Sequence, residues 1–167
     1  IRDSVKTDES QETWLNFDTE IKSLLKFLKT THDHHGVQID YQFEDEFAVG
    51  KVSRKYLRQI LINLLQNARN AMPSGGKIRI SLRCNSQTVT VSVEDSGPGV
   101  APHLFEKIFE PFYSTQPDGA GLGLAVVRNL IEASGGSVSC QRSEDLGGLK
   151  LTLRFQAKPA SVDALQI

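Results

Sequence analysis

Cysteine is almost absent from this chain of 167 residues, where Cys84 and Cys140 are the only two. Two thiols so far apart make neither a disulfide framework nor a four-ligand zinc site, so reduced thiols packed as small core residues in a cytosol are expected. Long apolar runs are missing as well. No stretch approaches the roughly 20 residues that a bilayer span needs, and Ile1-Arg2-Asp3-Ser4 carries neither an initiator Met nor a signal-peptide core. The sequence therefore reads as a cytoplasmic piece of a longer protein, with no membrane contact of its own, whether the whole is soluble or membrane-anchored. Net charge is almost zero, with 19 Lys plus Arg against 20 Asp plus Glu. Without a basic field, a general nucleic-acid binder is disfavoured.

What is present is a hydrophobic fraction of 39%, enough for one core but not comfortably for two. Residues 1–12 are polar and unpatterned and read as a linker, 13–157 as the folded domain, and 158–167 as a tail. Asp18 stands where an N-cap belongs, ahead of Ile21, Leu24, Leu25 and Leu28 at helical spacing. Val37, Ile39, Tyr41 and Phe43 alternate as a half-buried strand does, and a short acidic loop follows. Ser53 caps the longest helical pattern, whose stripe runs through Leu57, Ile60, Leu61, Leu64, Leu65, Ala68 and Met72. Residues 77–83 and 88–94 form two strands around Asn85-Ser86; 122–133 is a second apolar helix; 137–142 and 150–155 are a last strand pair around Leu146-Gly147-Gly148. Strands that come in pairs predict an α+β two-layer sandwich, a mixed sheet with helices on one face.

Four features carry chemistry. On the long helix, Asn63 and Asn67 lie one turn apart beside the apolar arc, where carboxamide oxygens can ligate a hard cation such as Mg²⁺. Alone, Asn63, Asn67 and Asn70 read better as the polar face of an amphipathic helix. Asp95-Ser96-Gly97-Pro98-Gly99 follows a strand directly; an Asp there can accept from an exocyclic amine, and Gly97 and Gly99 allow close backbone approach to a flat ring. An ordinary Asp-initiated turn would look the same. Gly119, Gly121 and Gly123 open the second apolar helix, where free N–H groups and the helix dipole hold phosphate. A dinucleotide fingerprint is excluded by Leu124 and a Walker A loop by the lack of Gly-Lys-Ser/Thr. The fourth feature is the aromatic cluster Phe105, Phe109, Phe112 and Tyr113, beside a short stretch, 114–118, that could fold over a ligand.

In this order the four features closely resemble the ATP-binding catalytic domain of sensor histidine kinases. The segments from Asn63, Asp95, Phe109 and Gly119 look like that family's N, G1, F and G2 boxes, and the resemblance runs from about Leu15 to Phe155. It implies a Bergerat-fold sandwich that binds ATP with Mg²⁺ between its helices and a lid. Carried over, Asn67 ligates Mg²⁺ with help from Asn63, and Asp95 binds the adenine amine. Gly97 and Gly99 line the adenine, and Gly119, Gly121 and Gly123 flank the phosphates. Asn70, Phe109, Phe112 and Leu122 complete the nucleotide set, with Asn63, Asn67 and Gln116 as the catalytic group. In the related gyrase and mismatch-repair ATPases, a Glu four residues before the magnesium-binding Asn activates water. Here that position is Asn63, an amide with no basic lone pair, so transfer to an acceptor other than water is expected.

Three departures matter. Near relatives carry Lys and Thr where this chain has Gln116 and Ala120, which leaves a degenerate nucleotide-sensing module as the alternative reading. The usual Asp before the long helix is Ser53. None of the four histidines matches the family's phosphoacceptor pattern, so the dimerisation and phosphoacceptor domain is expected upstream of Ile1, as a partner alongside a response regulator, and the isolated domain is expected to be monomeric. His32, His34 and His35 lack a fourth metal ligand nearby and read as a solvated helix end.

Overall fold

A computed structural model describes residues 8–31, 36–44, 47–114 and 123–159. The elements in chain order are β1 (Glu12–Asn16), α1 (Phe17–Thr31), β2 (Val37–Phe43), β3 (Val49–Ser53), α2 (Arg54–Asn70), β4 (Gly76–Cys84), β5 (Thr88–Asp95), α3 (Gly123–Ala133), β6 (Ser137–Arg142) and β7 (Leu149–Gln156). Two short 3-10 turns, Pro102–Leu104 and Lys107–Phe109, lie between β5 and α3.

Five strands form one sheet in the order β2-β4-β5-β7-β6, with β2 parallel to β4 and every other pair antiparallel. Alternation decides which face is covered. Ile78, Ile80 and Leu82 of β4 and Val89, Val91 and Val93 of β5 are buried, whereas Arg79 and Arg83 on the opposite face retain solvent. The helices cover the apolar face, giving the two-layer α+β sandwich with a mixed sheet that the paired strands implied. Ser53 caps α2 as its position suggests, its Oγ accepting from the Tyr56 N–H at 3.0 Å, and the stripe from Leu57 to Ala68 is buried. Asn85 closes the β4–β5 turn by accepting the N–H groups of Gln87 and Thr88 at 2.9 and 2.8 Å.

Two strands escape the sequence reading. β1 and β3 pair antiparallel in a second, small sheet, with Glu12 opposite Ser53 and Asn16 opposite Val49. The acidic loop thus ends in a strand too short for its period to register. Gly50 is required there: a Cβ would sit 2.8 Å from the Phe17 ring, which packs edge-on at 5.0 Å against Phe155. Residues assigned to a linker also take part, since Glu9 accepts from the Lys55 N–H at 3.1 Å and β1 begins at Glu12. Asn16, not Asp18, caps α1 by accepting from the Thr19 N–H at 3.0 Å. Asp18 turns inward and accepts from Tyr41 Oη and Lys22 Nζ, both at 2.8 Å.

Cys84 and Cys140 form no disulfide with each other and are half-buried against the core. Burial, followed by the charges of Glu106 and Asp95, pushes the Cys140 thiol up to about 12, so it stays protonated and unreactive. Among the described residues no helix is long and apolar enough to cross a membrane.

Candidate functional site

The site starts at Asp95, the last residue of β5 and only 4% exposed. Its Oδ1 accepts two backbone N–H groups, from Gly97 at 2.9 Å and Leu149 at 3.2 Å. The Asp95 carbonyl accepts the Gly148 N–H at 3.0 Å. Among the described residues Oδ2 receives no donor, so one carboxylate oxygen is fixed by the fold and the other is left to accept from a ligand. Burial raises the Asp95 pKa, against the opposing pull of the bonds from Leu149 and Gly97. Space around the carboxylate is kept by glycine. A Cβ at Gly97 would meet Asp95 Oδ1 at 3.0 Å and Ala71 Cβ at 3.3 Å, and Gly99 adopts a left-handed φ of 68°.

Gly148 is the contributor that the sequence reading missed. A Cβ there would overlap Asp95 Oδ1 and stand 2.5 Å from the Asp95 carbonyl oxygen and 2.8 Å from Gly97 N. The β6–β7 turn therefore lies directly on the Asp95 turn. It is held in place by Ser143, fully buried, whose Oγ donates to Glu94 at 2.9 Å and accepts from the Leu146 N–H at 3.0 Å. Gly147-Gly148 signals a turn in the sequence; its contact with Asp95 spans more than 50 positions and leaves no local trace.

From the Asp95 turn a ridge runs back along α2 through Ala71, Asn67 and Asn63, at intervals of four residues. Two turns cover about 12 Å. At one end Ala71 touches Gly97. At the other, Asn63 Nδ2 donates to the carbonyl of Gly123, the first residue of α3, at 3.2 Å, while Asn63 Oδ1 accepts from Gln59 at 2.7 Å. Asn67 lies between, half-buried, its carboxamide making no hydrogen bond among the described residues. Asn70 is exposed and is engaged elsewhere. The structure thus brings Asn63, Asn67, the Asp95–Gly97 turn and Gly123 along one side of α2, while Gly99 lies against Gly148.

The aromatic segment divides. Phe109 is buried, with the Arg128 guanidinium of α3 4.5 Å from its ring centroid, and Arg128 also pairs with Glu106 at 2.8 Å. Phe109 is therefore core, clamped to α3. Phe112 is 78% exposed with a left-handed φ of 65°. Gln116, Gly119, Ala120, Gly121 and Leu122 lie outside the described residues, as do His32, His34 and His35.

Residues 52–159 match the family model of histidine kinase-, DNA gyrase B- and HSP90-like ATPases. The chain belongs to this family. Within it the likeness is to histidine kinases. The sensor histidine kinase ZraS of Klebsiella oxytoca is 43% identical over 94 residues, 56% of this chain and 20% of that protein. The catalytic domain of histidine kinase ThkA is 31% identical with a TM-score of 0.78, covering 87% of this chain and 95% of that one. ThkA in complex with the response regulator TrrA superposes at 0.76 and 29% identity, over 89% of this chain and 42% of that one. Full-length ShkA in complex with AMPPNP superposes at 0.75 and 28%, over 90% and 32%. The chain thus spans a fifth of ZraS and nearly the whole ThkA catalytic domain.

For a member of this ATPase family, the donor set bears on the metal. Among the described residues no cluster of three His, Cys, Asp or Glu could hold an ion. A free amide oxygen at Asn67 suits a magnesium ion whose remaining ligands are waters and phosphates. Asn63 Oδ1 would have to exchange its bond with Gln59 to join it.

Proposed function

We propose that this chain is the ATP-binding catalytic domain of a sensor histidine kinase, and that it transfers the γ-phosphoryl of ATP to a histidine on a separate dimerisation domain, from which a response regulator takes it. Asp95 Oδ2 accepts from the adenine amine while Gly97 and Gly99 admit the ring, the Asn67 carboxamide faces the phosphates, and the N-terminus of α3 at Gly123 supplies free N–H groups to them. Asn67, with Asn63, would hold Mg²⁺, which neutralises the charge that develops on the phosphates. The working unit is residues 13–157, with Glu12 as the first residue of β1 and the Lys158 N–H reaching the Val49 carbonyl of β3 at 2.8 Å.

The observation that carries transfer over hydrolysis is the composition of α2. The helix contains no Asp or Glu, and the position where a water-activating carboxylate would stand is Asn63, tied to Gln59 and Gly123. A neutral imidazole needs no base: its nitrogen lone pair bonds to the γ-phosphorus while the bond to the bridging oxygen breaks and ADP leaves. The test is to mix this chain with its dimerisation domain and Mg-ATP. Acid-labile phosphate on the partner is expected. ATP binding without any such phosphate would replace this reading with a nucleotide sensor, and phosphate released to water at a kinase-like rate would replace it with an ATPase.

A further inference from the structure

A second concavity lies away from the nucleotide site, between α1 and β2. Its volume is about 530 Å³, with Leu25, Leu28, Val37 and Ile39 as floor and Lys22, Lys26 and Lys29 along one rim. The lysines sit at i, i+4 and i+7 of α1 and so share one face. Lys22 is engaged, pairing with Asp18 at 2.8 Å and standing 4.2 Å over the Phe43 ring. Among the described residues Lys26 and Lys29, both exposed, make no ion pair, and no carboxylate lines the groove. In a chain whose net charge is -1, two of the three rim lysines thus stand over an apolar floor without a carboxylate partner among the described residues.

The neighbouring strand is open too. Among the described residues β2 ends the sheet and pairs only with β4, so its other edge presents main-chain N–H and C=O groups. Native edges are commonly blunted by Lys or Pro, and β2, Val-Gln-Ile-Asp-Tyr-Gln-Phe, has neither. Its one charge, Asp40, lies on the outer face beside Arg79 Nε at 3.8 Å. Val37, Ile39 and Tyr41 face the groove.

We propose that this groove docks an extended segment of a protein partner, one that adds as a strand to β2 and presents apolar and acidic side chains to α1. Main-chain bonds to β2 supply the register, the Leu25, Leu28, Val37 and Ile39 floor takes the apolar side chains, and Lys26 and Lys29 select acidic ones. The proposal stands independently of the nucleotide site, which lies along α2 and β5.

The test uses this chain and the fluorescent peptide Val-Thr-Glu-Thr-Val-Thr-Glu-Thr, in which Val and Glu share one strand face, with a second peptide carrying Lys for Glu. Expected are saturable binding of the acidic peptide, binding about tenfold weaker for the Lys peptide, and a similar loss in the Lys26→Glu/Lys29→Glu double variant with an unchanged Tm and unchanged ATP affinity. Backbone amide shifts should fall on residues 37–43 and spare β6, the opposite edge. Equal binding of the two peptides, equal binding by the double variant, shifts on β6, or no binding at millimolar peptide would each overturn the proposal. Preference for phosphatidylserine vesicles over the acidic peptide would do the same.

Discussion

Gly148→Ala is the most demanding check on how the Asp95 carboxylate is positioned. The added methyl would overlap Asp95 Oδ1 and meet two backbone atoms, the Asp95 carbonyl at 2.5 Å and Gly97 N at 2.8 Å, and backbone cannot swing aside as a side chain can. To restore ordinary contact the β6–β7 turn must withdraw by about 1 Å. That movement takes the Leu149 N–H, already 3.2 Å from Oδ1, beyond hydrogen-bonding range, and strains the Gly148 bond to the Asp95 carbonyl at 3.0 Å. Overpacking costs about 1–3 kcal/mol, and the orphaned buried donor, the Leu149 N–H, costs a similar amount, while Oδ1 keeps only its bond from Gly97. A total near 3 kcal/mol corresponds to a fall in Tm of about 6–12 °C. Nucleotide affinity should drop by about tenfold or more, because Oδ1 no longer holds the carboxylate plane. Gly147→Ala is the control: a Cβ there meets nothing within 4 Å, so the cost is only that of a φ of 88°, about 1 kcal/mol, with affinity kept. Calorimetric melting and titration with an ATP analogue read both quantities. Wild-type Tm and affinity in Gly148→Ala would refute the close packing of the two turns.

Asp95→Asn should keep the fold, since an amide oxygen still accepts from Gly97 and Leu149, yet lose roughly 100-fold in nucleotide affinity because an NH₂ group then faces the adenine amine; unchanged affinity would remove Asp95 from the site. The pH dependence has a definite sign. The Asp95 pKa in the fold is raised above 3.8, so its contribution to stability is fully present below 3.8 and is lost as pH rises through the raised value, while nucleotide affinity falls on acidification into the same interval; stability and binding curves from which Asp95→Asn has removed both effects are the expected result. Asn67→Ala should weaken nucleotide binding chiefly when Mg²⁺ is present, and equal losses with and without the ion would sink the metal role. Ser143→Ala strips the buried Glu94 of its donor and should cost about 1–3 kcal/mol, read as a shift in the denaturant midpoint.

How much of this was legible in the sequence depends on the range of each interaction. The α2 stripe, the Ser53 cap and the Asn85 turn involve neighbours within four residues, and all were readable. So was the alternation of β4 and β5, because one sheet face is wet. β1 and β3 were not, since five residues each with mixed polarity carry no clear period and are strands only because they pair with each other. Asp18 has the residue type of a cap, but Tyr41 and Lys22 compete for its carboxylate and Asn16 takes the cap. For the candidate site, Asn63, Asn67, Asp95, Gly97 and Gly99 are proposed from the family pattern. Gly148 and Ser143 act across the sheet on residues of β5, a relation that only the pairing of β5 with β7 creates.

Those long-range contacts also bear on how the end of β5 would serve as the proposed recognition site. A buried carboxylate with both oxygens unpaired would be driven toward its neutral form, and one with both satisfied would have nothing left for a ligand. Here Gly97 and Leu149 hold one oxygen from two different turns, so the second keeps its direction without a partner among the described residues. The same division recurs at the far end of the ridge, where Asn63 is spent on fastening α3 and Asn67, one turn on, is left unbonded among the described residues. Each ligand-facing group is thus paired with a neighbour of like chemistry that the fold consumes for positioning. An Asn63→Ala variant should therefore damage the site by loosening the Gly123 end of α3 even where metal is absent, which separates it from Asn67→Ala: loss in both conditions marks the fastening residue, and loss restricted to magnesium marks the ligand.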